Sequence, residues 1–159
     1  MKASNGATTG INLQVWALRR MDALEKRLGR GSRSVEHLAT GLRGEREALF
    51  HLRTLGYTVV ARRWKSAKLR GDVDLIGWDG EWLCFVEVKT RTGRDAMAPA
   101  ESAVDGDKQE MLRKMSRAYL QGFPEKLRRE MPVRFDIVSV YLQQGGVEFD
   151  VYKGAFGRE

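Results

Sequence analysis

The sequence predicts a mixed α/β domain in which helices flank a central β-sheet, with the elements in the order α-β-β-β-α-β-β. Three observations predict it: an apolar stripe of helical period that ends at Gly56, two β-rich runs joined by Asp79-Gly80, and a later helix followed by two more strands. The chain has 159 residues, of which 42% are hydrophobic and 31% are charged, and this balance is typical of a single folded core.

The first helix is predicted from about Glu36 to Leu55, because leucines recur there at helical spacing and Gly56 then ends the helix. The leucines of this stripe are Leu38, Leu42, Leu49, Leu52 and Leu55. The run YTVVARRW at 57–64 is rich in β-branched and aromatic residues and predicts the first strand, which a basic loop follows over 65–70.

A tight β-hairpin is predicted next. Two apolar runs, DVDLIGW at 72–78 and EWLCFVEV at 81–88, flank Asp79-Gly80, a dipeptide that favours a two-residue turn. The predicted elements beyond the hairpin are a polar loop through about Asp107, a helix near 108–121, a short helical piece bounded by prolines, and strands near 132–142 and 147–153.

The hairpin brings acidic residues together. A turn at that dipeptide places Asp74 opposite Phe85 and Asp72 opposite Glu87. Since strand residues two apart share a face, all four project to one side together with Lys89. Asp74 and Glu87 are then diagonal neighbours with Cα atoms about 7–8 Å apart. One divalent cation held between two carboxylates fits that gap.

The available ligands favour Mg²⁺ or Mn²⁺ on carboxylate oxygen. His37, His51 and Cys84 are too few for a zinc site of Cys and His spacing. Lys89 reaches the same pocket, where an ammonium group could orient an attacking water and neutralise charge on a scissile phosphate. Glu45 lies in the apolar stripe of the first helix, where the spacing requires a hydrophobic residue, so its carboxylate needs a partner.

Each of these residues also has a simpler structural interpretation. Asp72 and Asp74 could cap or flank a strand, and Glu87 with Lys89 could form an exposed ion pair that contributes at most about 1 kcal/mol. The EVK segment, however, ends the apolar run WLCFV, where charges are rarely tolerated without a role. The combination favours a functional site.

The charge of the chain favours a polyanionic partner. Lys and Arg number 28 against 21 Asp and Glu, which gives a formal charge of +7 and a pI near 9.8. No stretch approaches the roughly 18 uninterrupted apolar residues of a membrane span, so no stable membrane insertion is expected. The single cysteine, Cys84, excludes a disulfide framework and indicates a core residue in a reducing, cytoplasmic compartment.

These motifs resemble those of the YraN-like family of small bacterial proteins over about residues 38–152. The resemblance is carried by GLRGEREALFHLRTLGYTVVARRW at 41–64, GDVDLIGWDGEWLCFVEVKTR at 71–91, Lys108 with the helix after it, and RFDIVSV at 134–140. That family is assigned to the PD-(D/E)xK restriction-endonuclease-like superfamily and is similar to archaeal-type Holliday-junction resolvases. The resemblance implies a restriction-endonuclease-like core, so we divide the chain into a basic amphipathic extension and linker (1–34, with a helix over 11–30), a nuclease-like domain (35–153) and a tail (154–159).

The resemblance also implies roles for individual residues. Asp74 corresponds to the metal-binding aspartate of the superfamily, Glu87 to its second carboxylate, Lys89 to its catalytic lysine and Glu45 to a helical metal ligand. Asp72 departs from the family pattern, which generally has Glu at that position.

Basic residues on both sides of the hairpin predict contacts with a nucleic-acid backbone. The predicted contact residues are Arg63, Lys65, Lys68, Arg70 and Arg91, to which the resemblance adds Lys108 and Gln109 as lining of the substrate groove. Trp64 could stack on a base, although a tryptophan in the core or at a sheet edge is more common.

The function that these observations predict is a metal-dependent endonuclease that hydrolyses phosphodiester bonds, in structured or branched DNA during DNA processing. Two alternatives stay open: a non-catalytic module that binds nucleic acid or docks a partner on a nuclease fold, and an RNA-processing nuclease. A fold alone does not establish activity. DNA is preferred over RNA as the partner, and the analogy with resolvases allows a homodimer.

Overall fold

The computed structural model of the chain describes residues 33–92 and 104–158. Its elements are α1 (Arg33–Thr54), β1 (Thr58–Trp64), β2 (Val73–Asp79), β3 (Trp82–Arg91), α2 (Gly106–Leu120), α3 (Glu125–Glu130), β4 (Val133–Gln143) and β5 (Gly146–Phe156). The predicted order is confirmed, including the short helical piece, here α3, between two prolines. The helix predicted over 11–30 lies outside the described residues.

The five described strands form one mixed sheet in the order β1-β2-β3-β4-β5. Strands β3 and β4 are parallel, whereas the other neighbouring pairs are antiparallel. A mixed five-stranded sheet with helices confirms the predicted α/β class and is consistent with a restriction-endonuclease-like core. All five strands lie in the compact unit Thr40–Glu159, and the other unit, Met1–Ala39, contributes only the first turns of α1 to the described structure.

Strand β3 is the middle strand, and its two faces support two hydrophobic clusters. One cluster joins α1 to the sheet through Ala48, Leu49, Leu52, Cys84, Val86, Val88, Val138 and Val140. The other joins α2 to the opposite face through Leu112, Met115, Leu120, Ile76, Leu83, Phe85, Phe135 and Ile137. Because β3 is packed from both sides, the polar residues near its end are held in fixed positions.

The leucine stripe of α1 is buried only in part. Leu49 and Leu52 are 4% and 0% exposed, but Leu38 and Leu55 are 58% and 47% exposed. Leu55 lies beyond the last helical residue, Thr54, so helical spacing no longer directs its side chain. None of the described helices is long and apolar enough to cross a membrane.

The predicted hairpin is present, but its register was wrong by two residues. Asp79 pairs with Trp82 at the end of the ladder, which leaves Gly80 and Glu81 as the turn. Gly80 has φ +60°, a left-handed conformation that glycine adopts without strain. Asp79 stays in the strand because Arg134 and Lys153 both bind its carboxylate.

The corrected register moves the two candidate metal ligands closer together. Leu75 pairs with Val86, and one further step of this register brings Asp74 level with Glu87. Asp72, predicted opposite Glu87, instead lies before the first residue of β2. Since side chains repeat their direction every two residues, a shift of two keeps the predicted face, and only the partners change.

Strand β1 is an outer strand of the described sheet and is irregular. Its register with β2 shifts between Val59 and Ala61, as in a β-bulge. Arg63, near its end, has φ +45°, which is uncommon for a residue other than glycine. The strand is thus bent near the candidate site.

Candidate active site

Glu87 lies at the centre of the site, in the otherwise apolar part of β3. The residue is only 4% exposed, because strand alternation puts it on the same face as Phe85, which packs against α2. Lys89 Nζ lies 3.1 Å from Glu87 Oε1, and Lys108 Nζ lies 2.9 Å from Glu87 Oε2. A buried carboxylate is strongly unfavourable without paired charge, so the two lysines stabilise Glu87 here.

Asp74 enters the site from the neighbouring strand β2. Its Oδ2 accepts a hydrogen bond of 2.7 Å from the backbone N–H of Val88, next to Glu87 in the chain. Burial, and after it the negative charge of Glu87, raises the pKa of Asp74 to about 7. The backbone hydrogen bond from Val88 and the positive charge of Lys108 oppose this shift but do not outweigh it, so Asp74 is a half-buried carboxylate short of compensating charge.

Glu45 is brought to the site by a close approach of α1 to β3. A Cβ atom on Gly44 would lie 1.7 Å from Thr90 Oγ1, so only glycine permits this contact. Glu45 Oε2 is buried and has no hydrogen-bond partner among the described residues, and Arg63 Nε is 3.9 Å away. Burial raises the pKa of Glu45, although Arg63 opposes the shift.

Arg63 spans two of the acidic residues. Its Nε lies 3.8 Å from Asp72 Oδ2 as well as 3.9 Å from Glu45 Oε2. Its side chain is 44% exposed, so the guanidinium also faces solvent. Residues other than glycine with a left-handed backbone conformation cluster at functional sites. Arg63 has this conformation, and its guanidinium lies beside the two carboxylates.

Lys108 comes from the first turn of α2. Asp105 caps this helix by accepting a hydrogen bond of 2.8 Å from the backbone N–H of Lys108. Burial lowers the pKa of the Lys108 ammonium, but the contact with Glu87 outweighs it and raises the pKa overall. The ammonium group therefore stays charged at neutral pH.

Lys108 is predicted to line the substrate groove, but its ion pair with Glu87 is not apparent from the sequence. Gln109, predicted for the same groove, donates to the carbonyl of Val104 over 3.1 Å and so fixes the start of the helix, and its place in the groove stays a prediction.

The remaining basic residues lie at the surface around the site. Lys65, Lys68 and Arg70 are exposed, and Arg91 is half-buried at the end of β3. Trp64 packs against the core with an edge-to-face contact to Tyr119, the ring centroids 5.2 Å apart. Trp64 is therefore a tryptophan at the edge of the core, which is the more common of its two interpretations.

The donor set fits a hard divalent cation such as Mg²⁺. Asp74 and Glu87 lie level with each other on the neighbouring strands β2 and β3. Glu45 carries a buried oxygen with no hydrogen-bond partner among the described residues. Within residues 33–92 and 104–158, however, no three His, Cys, Asp or Glu side chains are grouped closely enough to hold an ion together. Two carboxylates with water as the other ligands are a normal arrangement for Mg²⁺.

Comparison with known sequences identifies the family. Residues 44–140 match the uncharacterised protein family UPF0102. The chain belongs to this family. The match confirms the resemblance to the YraN-like proteins. It starts at the glycine that packs against Thr90, and it includes Glu45, Asp74, Glu87, Lys89 and Lys108.

Several UPF0102 proteins are similar to most of the chain. One from Koribacter versatilis is 50% identical over 121 residues, which cover 76% of this chain and 81% of the relative. A second, from Solibacter usitatus, is 44% identical over 71% of this chain and 82% of the relative. A third, from Rhodococcus opacus, is 40% identical over 69% of this chain and 87% of the relative.

A second cluster of charges, on the α1 side of the sheet, was missed by the sequence analysis. Asp136 in β4 is 1% exposed and accepts hydrogen bonds from Tyr57 Oη (3.0 Å), Arg134 Nε (2.8 Å) and the N–H of Gly154 (2.9 Å). The UPF0102 match includes both Arg134 and Asp136. The sequence signal was an aspartate inside the apolar run RFDIVSV.

The same cluster extends to the hairpin. Arg134 donates to Asp79 Oδ2 over 2.6 Å, and Lys153 donates to the same oxygen over 2.7 Å. The hydrogen bonds from Lys153 and Arg134 lower the pKa of Asp79. Every carboxylate in this Asp136–Arg134–Asp79 cluster thus has cationic partners.

Proposed function

We propose that this UPF0102 protein is a Mg²⁺- or Mn²⁺-dependent endonuclease that hydrolyses phosphodiester bonds in structured or branched DNA. The observation that carries the proposal is the convergence of Asp74 and Glu87 with two lysines at the end of a buried strand. Buried charges with raised carboxylate pKa values are more typical of functional sites than of structural ion pairs.

Asp74 and Glu87 would hold the metal ion, with Glu45 as a further ligand directly or through water. A bound divalent cation supplies positive charge to a phosphoryl oxygen and lowers the pKa of a bound water. The two lysines now bind Glu87, and either ammonium group can bind a phosphate oxygen that enters the site. Lys89, on the same strand face as Glu87, would orient the attacking water.

The exposed basic residues support a nucleic-acid substrate. Lys65, Lys68 and Arg70 lie in the loop between β1 and β2, just before the strand that carries Asp74. Arg91 follows Lys89 on β3. Contacts of this type position a backbone without reading its sequence. DNA as the substrate, a homodimer and a cytoplasmic location stay predictions.

A second candidate function is a module that binds nucleic acid without cutting it. It is favoured by the two lysines that occupy both oxygens of Glu87, and by the absence of a three-ligand group among the described residues. In that case the lysines would be permanent counter-ions of Glu87, and a metal would not be needed.

The deciding experiment is cleavage of a labelled panel in Mg²⁺, Mn²⁺ or EDTA. The panel contains duplex, single-stranded, flap and four-way DNA and structured RNA. Wild type is compared with Asp74→Ala and with a control, Glu81→Ala, which removes an exposed carboxylate from the hairpin turn. We expect metal-dependent cutting that falls about 10³-fold in Asp74→Ala and is unchanged in Glu81→Ala.

Each outcome has a clear meaning. Cutting of RNA but not DNA would identify an RNA-processing nuclease at the same site. Cutting that survives Asp74→Ala would remove the site from the reaction. Binding without cutting, equal in all three proteins, would establish the binding module instead.

A further inference from the structure

A second basic site lies away from the carboxylates. A cavity of about 420 Å³ is lined by residues from the end of α2, from α3 and from the segment after β5. Its polar lining residues are Arg117, Gln121, Glu125, Arg128, Arg129 and Arg158. Four arginines and one glutamate therefore line this cavity.

The arginines are only partly neutralised by acidic neighbours. Arg129 forms an ion pair with Glu125, and Arg117 Nη2 lies 3.6 Å from Glu110 Oε1 at the surface. Arg128 and Arg158 have no carboxylate partner among the described residues. The cavity thus carries excess positive charge, and guanidinium groups match the geometry of phosphate oxygens.

Arg128 is held in place and has a donor to spare. Its Nη1 donates to Gln121 Oε1, which fixes the guanidinium against the end of α2. Its Nε is buried and has no hydrogen-bond partner among the described residues. Buried donors are nearly always satisfied, so the hydrogen-bonding capacity of this guanidinium is not used up within the described residues.

We propose that this cavity binds a phosphate group at a site separate from the Asp74–Glu87 pair. Along α2, Arg117 follows the site lysine Lys108 by nine residues, which is about 14 Å of helix axis at 1.5 Å per residue. The phosphate belongs either to the backbone of a bound nucleic acid or to a small phosphorylated molecule, and both present the same oxygens to the arginines.

The test compares a double variant of two cavity arginines with a control variant on α3. Arg128→Gln combined with Arg158→Gln removes the two arginines that have no acidic partner among the described residues. Lys126→Gln removes one positive charge from an exposed position of α3 that does not line the cavity. Inorganic phosphate is titrated against the full chain while the arginine Nε–Hε signals are followed by NMR.

A second assay identifies the source of the phosphate. Binding of labelled duplex DNA is measured in EDTA between about 50 and 200 mM salt, where each DNA phosphate that the protein neutralises adds about 0.9 to the salt slope. A slope that falls by about 1–2 in the double variant, but not in Lys126→Gln, assigns the phosphate to nucleic acid. Weaker binding of inorganic phosphate with an unchanged slope assigns it to a small phosphorylated molecule.

The proposal is overturned if the double variant and Lys126→Gln match the wild type in both assays. Circular dichroism checks the fold of each variant. If the double variant does not fold, Arg158→Gln alone, in the exposed segment after β5, is judged by the same criteria. Because EDTA prevents cutting, the result is independent of whether the chain is a nuclease.

Discussion

Two charge clusters of this sheet, each with one buried carboxylate, lie at opposite ends of β2 and are balanced differently. At the hairpin end, Asp79 and Asp136 accept charged hydrogen bonds from Arg134, and hydrogen bonds lower the pKa of Asp79. At the other end, burial raises the pKa of Asp74 to about 7, and Glu45 has a buried oxygen with no hydrogen-bond partner among the described residues.

The comparison distinguishes a cluster with matched charges from the cluster of the proposed active site. A cluster that stabilises the fold has its donors and acceptors matched, because unmatched buried polar groups destabilise the native state. The Asp74–Glu87 end leaves carboxylates short of positive charge, which is the state that a metal and a phosphate would complete.

The largest contrast is expected in stability. Asp136→Asn should lower the free energy of unfolding by about 1.5–3 kcal/mol, because an amide N–H₂ then replaces one of the buried Asp136 oxygens that accept hydrogen bonds from Arg134 and Tyr57. Asp74→Asn should be neutral or stabilising in EDTA, because it removes a half-buried and poorly compensated charge. Denaturant unfolding of both variants checks this, and a decrease of similar size in Asp74→Asn would contradict the distinction.

A smaller effect is expected at Lys108. Lys108→Met should reduce the proposed nuclease activity about 10²-fold, because Glu87 loses the cation at Oε2 and the site loses the ammonium group proposed to bind phosphate. Lys114→Met is the matched control, since Lys114 is exposed on the same helix and pairs with Glu110 over 3.6 Å. Equal rates in the two variants would exclude a role for Lys108 in the reaction.

The approach of α1 to β3 can be broken at Gly44. Gly44→Ala should destabilise the protein by about 1–3 kcal/mol, because the new methyl group overlaps Thr90 and pushes Glu45 from the site. Gly41→Ala, with no atom within 4 Å of the added carbon, should instead stabilise α1 by up to about 1 kcal/mol. Thermal unfolding of the pair measures the difference, and similar midpoints would show that α1 tolerates the methyl group.

The smallest effect is a pH dependence at the hairpin end. The pKa of Asp79 is lowered in the folded state, so its contribution to stability is present above the unfolded value of about 3.8 and is lost as the pH falls through the folded pKa. The stability difference between wild type and Asp79→Asn should therefore narrow from about pH 6 to about pH 3. A difference that stays constant over this range would contradict the prediction, and Glu81→Gln serves as the exposed control.

Side-chain periodicity explains what the sequence could predict. Alternation in β2 and β3 predicted Asp74, Glu87 and Lys89 on one face of the sheet. This prediction holds although the predicted hairpin register was wrong by two residues, because a shift of two does not change the face. The interruption of a leucine stripe by Glu45 indicated a carboxylate that faces inward, and its buried oxygen agrees.

Tertiary contacts explain what the sequence could not predict. The turn lies at Gly80-Glu81 and not at the predicted Asp79-Gly80, because Arg134 and Lys153 hold Asp79 in the strand. Both basic residues are distant from Asp79 in the chain. The ion pair of Lys108 with Glu87 and the partners of Asp136 also join segments far apart in sequence. Local patterns contain no information on such pairings, although an aspartate within an apolar strand indicates that one exists.

The irregular edge strand β1 has a consequence for self-association. An outer strand offers unpaired backbone groups to which a strand of another molecule can add, and flat, apolar edges therefore lead to aggregation. Here the register shift after Val59 and the left-handed Arg63 disturb that edge, and the exposed Arg62 and Arg63 repel a second copy. Two molecules are thus discouraged from joining their sheets along β1, and a homodimer would have to use another surface.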